Sequence, residues 1–200
     1  MSLLTKIKSS YIKYKFIFKD DINRSSYLYQ KVFRSIYGYQ QNVTKKDNKP
    51  YLYIRKGILT DIPHYKPGRN TVVIPKGYES KLADYFNTGI NPAHNWKTKG
   101  DWEIKYTIDE IELDINNIIK IIEDFIYNYK IISLNNKEVS LFVELNNLIE
   151  SNITDKNYLS NILKISDNII NFEWFKESKN LSEKLTSFYS NYQKLKQKLQ

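Results

Sequence analysis

The sequence predicts an α+β protein: a small basic unit of short antiparallel strands with one or two helices, followed by an all-α helical unit. Three observations predict it. All six glycines, all five prolines and both histidines lie before residue 109. Residues 1–108 hold 20 Lys/Arg against 8 Asp/Glu, a formal +12, whereas residues 109–200 hold 11 against 14, a formal −3. Apolar residues alternate in the first part and recur at three- and four-residue spacing in the second. The expected division is therefore 1–108, a basic α+β unit, and 109–200, a helical bundle.

Residues 11–18 read YIKYKFIF, a strand with Ile12, Tyr14, Phe16 and Phe18 on one face and Lys13 and Lys15 on the other. Ser25 or Ser26 can cap a helix running to about Tyr37, with Tyr29, Val32, Phe33 and Ile36 on one face. Lys31 and Arg34 then point elsewhere, and Gly38 is placed to end the helix. QQNVT and YLYIRK flank the polar stretch KKDNKP, the pattern of a hairpin. GILTDIP and NTVVIP read as two further short strands around HYKPGR. A short helix over 79–87 ends at Gly89, and WEIKYTI is a strand with Trp102, Ile104, Tyr106 and Ile108 on one side.

Beyond Ile108 the absence of Gly and Pro suits helices. Asp114 can cap a helix carrying Ile115, Ile118, Ile122, Phe125 and Tyr129. A second helix is expected over about 139–150 and a third from near Thr154. The apolar stretch 168–175 must pack against the bundle or a partner. A last helix, capped by Asn180, carries Leu181, Leu185, Phe188, Tyr192, Leu195 and Leu199 at steps of four and three, a heptad seam. That seam serves either the chain's own bundle or a helical partner or second copy, and Lys194, Lys196 and Lys198 surround it.

Composition narrows the chemistry. The chain has no cysteine, which excludes disulfides, thiol catalysis and cysteine-ligated metals. No apolar run approaches the ~20 residues of a membrane span. The opening MSLLTKIKSSYIKYKF lacks the apolar core and cleavage site of a signal peptide, so an intracellular location, cytoplasmic or nucleoid-associated, is expected. No GxxxxGK or GxGxxG occurs, so no nucleotide cofactor is expected. His64 and His94 lack a second ligand at metal spacing, and no metal is expected.

A net charge of +9 favours a polyanionic partner. Non-catalytic binding to DNA or RNA, within a larger complex, is the expected function. Lys45, Lys46, Lys49, Arg55, Lys66, Arg69 and Lys76 would contact phosphates, and Tyr51 and Tyr53, two apart on a strand, would stack or line the surface. Tyrosines are also good strand residues, so plain packing accounts for them equally simply. Two other functions fit the pattern. A scaffold could dock an acidic protein on the basic face. A metal-dependent nuclease could use Glu103 and Lys105, the acidic residue and lysine two apart on one strand found in restriction-type nucleases, with Asp61 or Asp84 completing the site.

Overall fold

The computed structural model describes residues 5–19, 22–44, 50–94, 96–100, 102–151 and 155–199, of which residues 50–52 and 96 by their backbone alone. The protein is α+β, with strands mostly in its first half and helices mostly in its second. Two compact units form, one from Lys8–Ile111 and one from Met1–Ile7 with Glu112–Gln200.

In the β-rich unit the chain order is β1 (Lys6–Phe18), α1 (Tyr27–Tyr37), β2 (Tyr39–Thr44), β3 (Pro50–Arg55), β4 (Thr71–Pro75), α2 (Glu79–Thr88), β5 (Ile90–Asn91), β6 (Trp96–Lys97) and β7 (Trp102–Asp114). β1 is the centre of a three-stranded sheet, flanked by β4 and β7. β1 and β4 are antiparallel, in register from Ser9 opposite Pro75 to Lys13 opposite Thr71. Ion pairs Lys6–Glu112 and Lys8–Glu110 climb β1 while descending β7, so this pair is antiparallel too. β2 pairs with β3, and β5 with β6.

Period-2 alternation sorts the sheet's two faces. Ile12 and Tyr14 are buried while Lys13 and Lys15 are exposed; Trp102 is buried while Glu103 and Lys105 are exposed. The inner face is an aromatic layer covered by α1 and α2. Phe16 meets Trp102 edge-on at 4.9 Å and Phe33 of α1 at 5.6 Å, and Tyr14 meets Phe86 of α2 at 5.4 Å. The two edge-to-face pairs of Phe16 add about 0.5–1.5 kcal/mol each beyond area burial.

One expected strand is absent. GILTDIP is a run of turns, because its N–H groups are taken by the end of α1: Ile58 donates to the Ser35 carbonyl at 3.0 Å and Leu59 to that of Ile36 at 2.8 Å. A helix leaves its last carbonyls without intrahelical donors, and this segment supplies them. Leu59 and Ile62, both fully buried, anchor it.

The helical unit contains α3 (Ile115–Asn128), β8 (Lys130–Ile132), β9 (Glu138–Ser140), α4 (Leu141–Glu150), α5 (Lys156–Ile170), α6 (Glu173–Ser178), a 3₁₀ turn (Lys179–Leu181) and α7 (Glu183–Leu199). Asp114 caps α3 by accepting the Asn116 N–H at 2.8 Å, and Ile115, Ile118, Ile122 and Ile126 form its buried stripe. β8 and β9 make a small antiparallel hairpin that the helical periodicity did not foretell. Its turn uses Asn136 at φ 55°, a left-handed conformation asparagine tolerates. Asp155 caps α5, accepting the Tyr158 N–H at 3.0 Å. Ile169, Phe172, Trp174 and Phe175, from the apolar stretch, are buried in this unit. Among the described residues no helix is long and apolar enough to cross a membrane.

Two readings of the last helix are corrected. Its cap is Ser182, whose hydroxyl accepts the Leu185 N–H at 3.3 Å, because Asn180 is taken up in the preceding 3₁₀ turn. The heptad seam is not a free partner face. Leu185, Phe188, Tyr192 and Leu195 are buried within the unit, where α7 packs on α4 and α5; only Leu181 is well exposed, and Leu199 is half-buried. Each burial of this kind is worth about 1.5–3 kcal/mol, and an intermolecular seam would have to give that up.

Lys198 is likewise internal in function. Its ammonium donates to the carbonyls of Leu148, Ile149 and Ser151, capping the C-terminal end of α4. A cation there also complements the helix dipole. Lys198→Met should lower stability by about 1 kcal/mol, read from urea unfolding, with Lys194→Met as the neutral control. Equal midpoints for the two variants would contradict the cap.

Candidate functional site

The site grows from the C-terminal turn of α1. Ser26 starts this helix by accepting the Tyr29 N–H at 3.3 Å, and Val32, Ser35 and Ile36 bury one side of it. Arg34 and Tyr37, three apart on a helix, are surface neighbours on another side. Gly38 then turns the chain into β2 with φ 75° and ψ 178°, a combination essentially confined to glycine.

The β2–β3 ladder sets the next residues. Tyr39 stands opposite Arg55, Gln41 opposite Tyr53 and Val43 opposite Tyr51. Residues directly opposite share a face, as do residues two apart on one strand. Tyr39, Gln41, Tyr53 and Arg55 thus lie on one hairpin face.

Cations interleave with these rings. The Arg34 guanidinium lies 4.6 Å from the Tyr39 ring centre, the Arg55 guanidinium 5.3 Å from that of Tyr53, and the Lys66 ammonium 3.4 Å from that of Tyr37. The result is a strip that runs Lys66, Tyr37, Arg34, Tyr39, Arg55, Tyr53. Each cation–ring contact contributes about 0.5–1 kcal/mol at such partly exposed positions and holds a long side chain in one orientation.

None of the three cations has a carboxylate partner among the described residues. Their neighbours in the fold do: Lys56 holds Asp61 at 2.9 Å, and both Lys8 and Lys76 hold Glu110. These two lysines keep Glu110 ionised far down in pH, its pKa lowered to about 2.

The groups beneath the strip are neutral at pH 7. Burial pushes both the Tyr14 and Tyr37 phenols above the usual range, and their oxygens are 2.7 Å apart. Burial pushes His64, tilted against Tyr37 with ring centres 5.7 Å apart, below 6.5. Its Nδ1 lies 2.9 Å from the Ile62 carbonyl oxygen, which requires a hydrogen on that nitrogen. No negative charge therefore develops under Lys66 to offset it. Partial burial alone lowers the Lys66 pKa.

The residues expected from sequence divide as follows. Tyr53, Arg55 and Lys66 come together in the strip. Tyr51 occupies its register position opposite Val43. Lys45, Lys46 and Lys49 lie outside the described residues. Lys76 does not join: it pairs with Glu110 beyond one end of β4, about 17 Å of strand from Thr71 at the other end. Arg69 is exposed in the loop before Thr71, beside the end of β1.

Arg34, Tyr37 and Tyr39 were missing from the expected set. The signal that finds them is the glycine pair Gly38 and Gly57, which lets α1 and the hairpin root touch. Glu103 and Lys105 do point outward together from β7, but Asp61 is held by Lys56 and Asp84 is exposed on α2. No group of three acidic or histidine side chains placed to hold a metal occurs among the described residues.

Comparison with family models, curated proteins and solved structures finds no match, so the side chains' own chemistry carries the functional case.

Proposed function

We propose that this chain binds nucleic acid without catalysing a reaction, through the strip Lys66–Tyr37–Arg34–Tyr39–Arg55–Tyr53. The observation that carries the reading is that three cations are each ordered on a tyrosine ring yet have no acidic partner among the described residues. Side chains already held in place lose less entropy on meeting a phosphate. Guanidinium forks match phosphate oxygens, and their planes, like the tyrosine rings, accept stacked bases. An acidic protein would use the charges but has no need of the rings. Contacts of this kind give affinity with little sequence choice.

The test is a binding titration of the full chain with labelled oligonucleotides between about 50 and 200 mM salt. Affinity should fall linearly on a log–log plot, with about 0.7–0.9 in slope for each phosphate neutralised. Replacing Arg34, Arg55 and Lys66 together by Gln should reduce that slope by about 2. Affinity that ignores salt, or a slope the triple variant leaves untouched, overturns the reading.

A further inference from the structure

We infer that the outer face of the β4–β1–β7 sheet is a second phosphate-backbone contact surface, built on Lys13, Lys15, Lys105 and Arg69. This rests on the nucleic-acid reading and extends it to a surface that shares no residue with the strip.

Charges on the two faces of these strands are neutralised unequally. Towards one end of β1, Lys8 is matched by Glu110 of β7, and Glu110 also takes Lys76 from the end of β4. Three elements thus converge on one carboxylate there. Towards the other end, Lys13 and Lys15 project from β1 and Lys105 projects from β7, all exposed and all on the face opposite the aromatic layer. None of the three has an acidic partner among the described residues.

Arg69 adds a fourth cation. The Asn70 carbonyl accepts the Tyr14 N–H at 2.9 Å, which continues the β1–β4 ladder one step past Lys13 and Thr71. Asn70, at φ 58°, then turns the chain, and Arg69 is exposed in that turn beside the end of the ladder. Glu103 and Asp109 of β7 share this face, and neither is within salt-bridge distance of any of these cations.

Like charges on neighbouring strand positions oppose folding. On the aromatic-layer side of these strands, where alternation places Lys8 and Glu110, the charges are matched, whereas on the outer face Lys13, Lys15 and Lys105 are not. The spacing suits a chain of separated charges: Lys13 and Lys15 are about 6.7 Å apart along β1, and the next strand is about 4.8 Å away. The ligand class is therefore a phosphodiester backbone lying on the sheet.

The experiment uses the full chain, one oligonucleotide and the same salt series. Lys13, Lys15 and Lys105 are changed together to Gln, and separately together to Arg; Glu103→Gln is the third variant. The Gln triple should reduce the salt slope by about 2 while its melting temperature holds or rises, since repulsion is relieved. The Arg triple should keep the wild-type slope, and Glu103→Gln should bind severalfold more tightly. A wild-type slope in the Gln triple, while the Arg34/Arg55/Lys66 variant loses its share, overturns this inference and leaves the strip standing. Wild-type protein that binds no oligonucleotide at about 50 mM salt overturns both.

Discussion

Gly57→Ala should cost about 4 kcal/mol or more and detach the hairpin from α1. A Cβ at residue 57 would sit 2.1 Å from the Gly38 nitrogen, 2.6 Å from the Ile36 carbonyl oxygen and 2.6 Å from the Tyr37 carbonyl carbon. All three are backbone atoms, which cannot rotate away as a side chain would. Relief requires separating the chain after β3 from the end of α1. That separation breaks the Ile58 and Leu59 bonds to the helix carbonyls and lifts Leu59 from the core. It also parts Arg34 from Tyr39, so oligonucleotide affinity should fall with stability. Losses of this size belong to a short list of mechanisms, of which backbone overlap in a packed site is one. Gly38→Ala should behave similarly, since a Cβ there would lie 2.7 Å from the Arg55 carbonyl oxygen in a conformation that already excludes side chains. Urea unfolding and amide exchange across residues 39–60 measure the effect. A Gly57→Ala protein that melts within about 2 °C of wild type would refute this account of the hairpin root.

Raising the pH from about 9 to 12 should unfold both units. Among the described residues, five tyrosines have pKa values above the usual 10: Tyr14, Tyr37 and Tyr85 in the β-rich unit, Tyr158 and Tyr192 in the helical unit. Burial is the leading cause in each. Hydrogen bonding adds to it in the helical unit. Tyr158 donates to Glu144 at 2.6 Å and Tyr192 donates to Asp167, so loss of either proton would set a phenolate against a carboxylate. In the β-rich unit Tyr85 donates to the Val32 carbonyl at 3.1 Å, which has no hydrogen to give back.

The direction follows from linkage. Unfolded tyrosine titrates near 10 and the folded groups titrate higher, so above pH 10 the native state holds more protons than the unfolded chain. The contribution is complete below pH 10 and is lost as pH rises through the folded values. Tyr192, pushed up to about 12, alone loses about 2–3 kcal/mol over that interval, and the other four act in the same sense. Tyrosinate absorbance and circular dichroism followed together provide the check. Tyr14, Tyr37, Tyr85, Tyr158 and Tyr192 should ionise only as the dichroism is lost. A single titration near pH 10 with unchanged dichroism would rule the prediction out.

Much of the architecture was legible because it follows from short-range rules. Alternation identified β1 and β7 and assigned Lys13 and Lys15 to the face away from Tyr14. Ser26, Asp114 and the stripe Ile115–Ile118–Ile122–Ile126 needed only capping chemistry and helical period. Tyr51, Tyr53 and Arg55 were seen as a group because strand neighbours two apart share a face. Failures arose where a distant segment supplied the partner. GILTDIP has strand composition, but its N–H groups go to the end of α1. Lys76 looked free and is paired with Glu110, 34 positions away. The last helix carries a heptad seam that a partner could use, but α4 and α5 bury it.

Local pattern thus determined the long strands β1 and β7, the main helices and that positive charge gathers in the first 108 residues. It could not decide which of those charges stay unpaired, because ion pairing depends on distance in space and not along the chain. Only the tertiary structure, through the contact of Gly38 with Gly57 and the register of β1, β4 and β7, separated the neutralised lysines from the cations left facing outward.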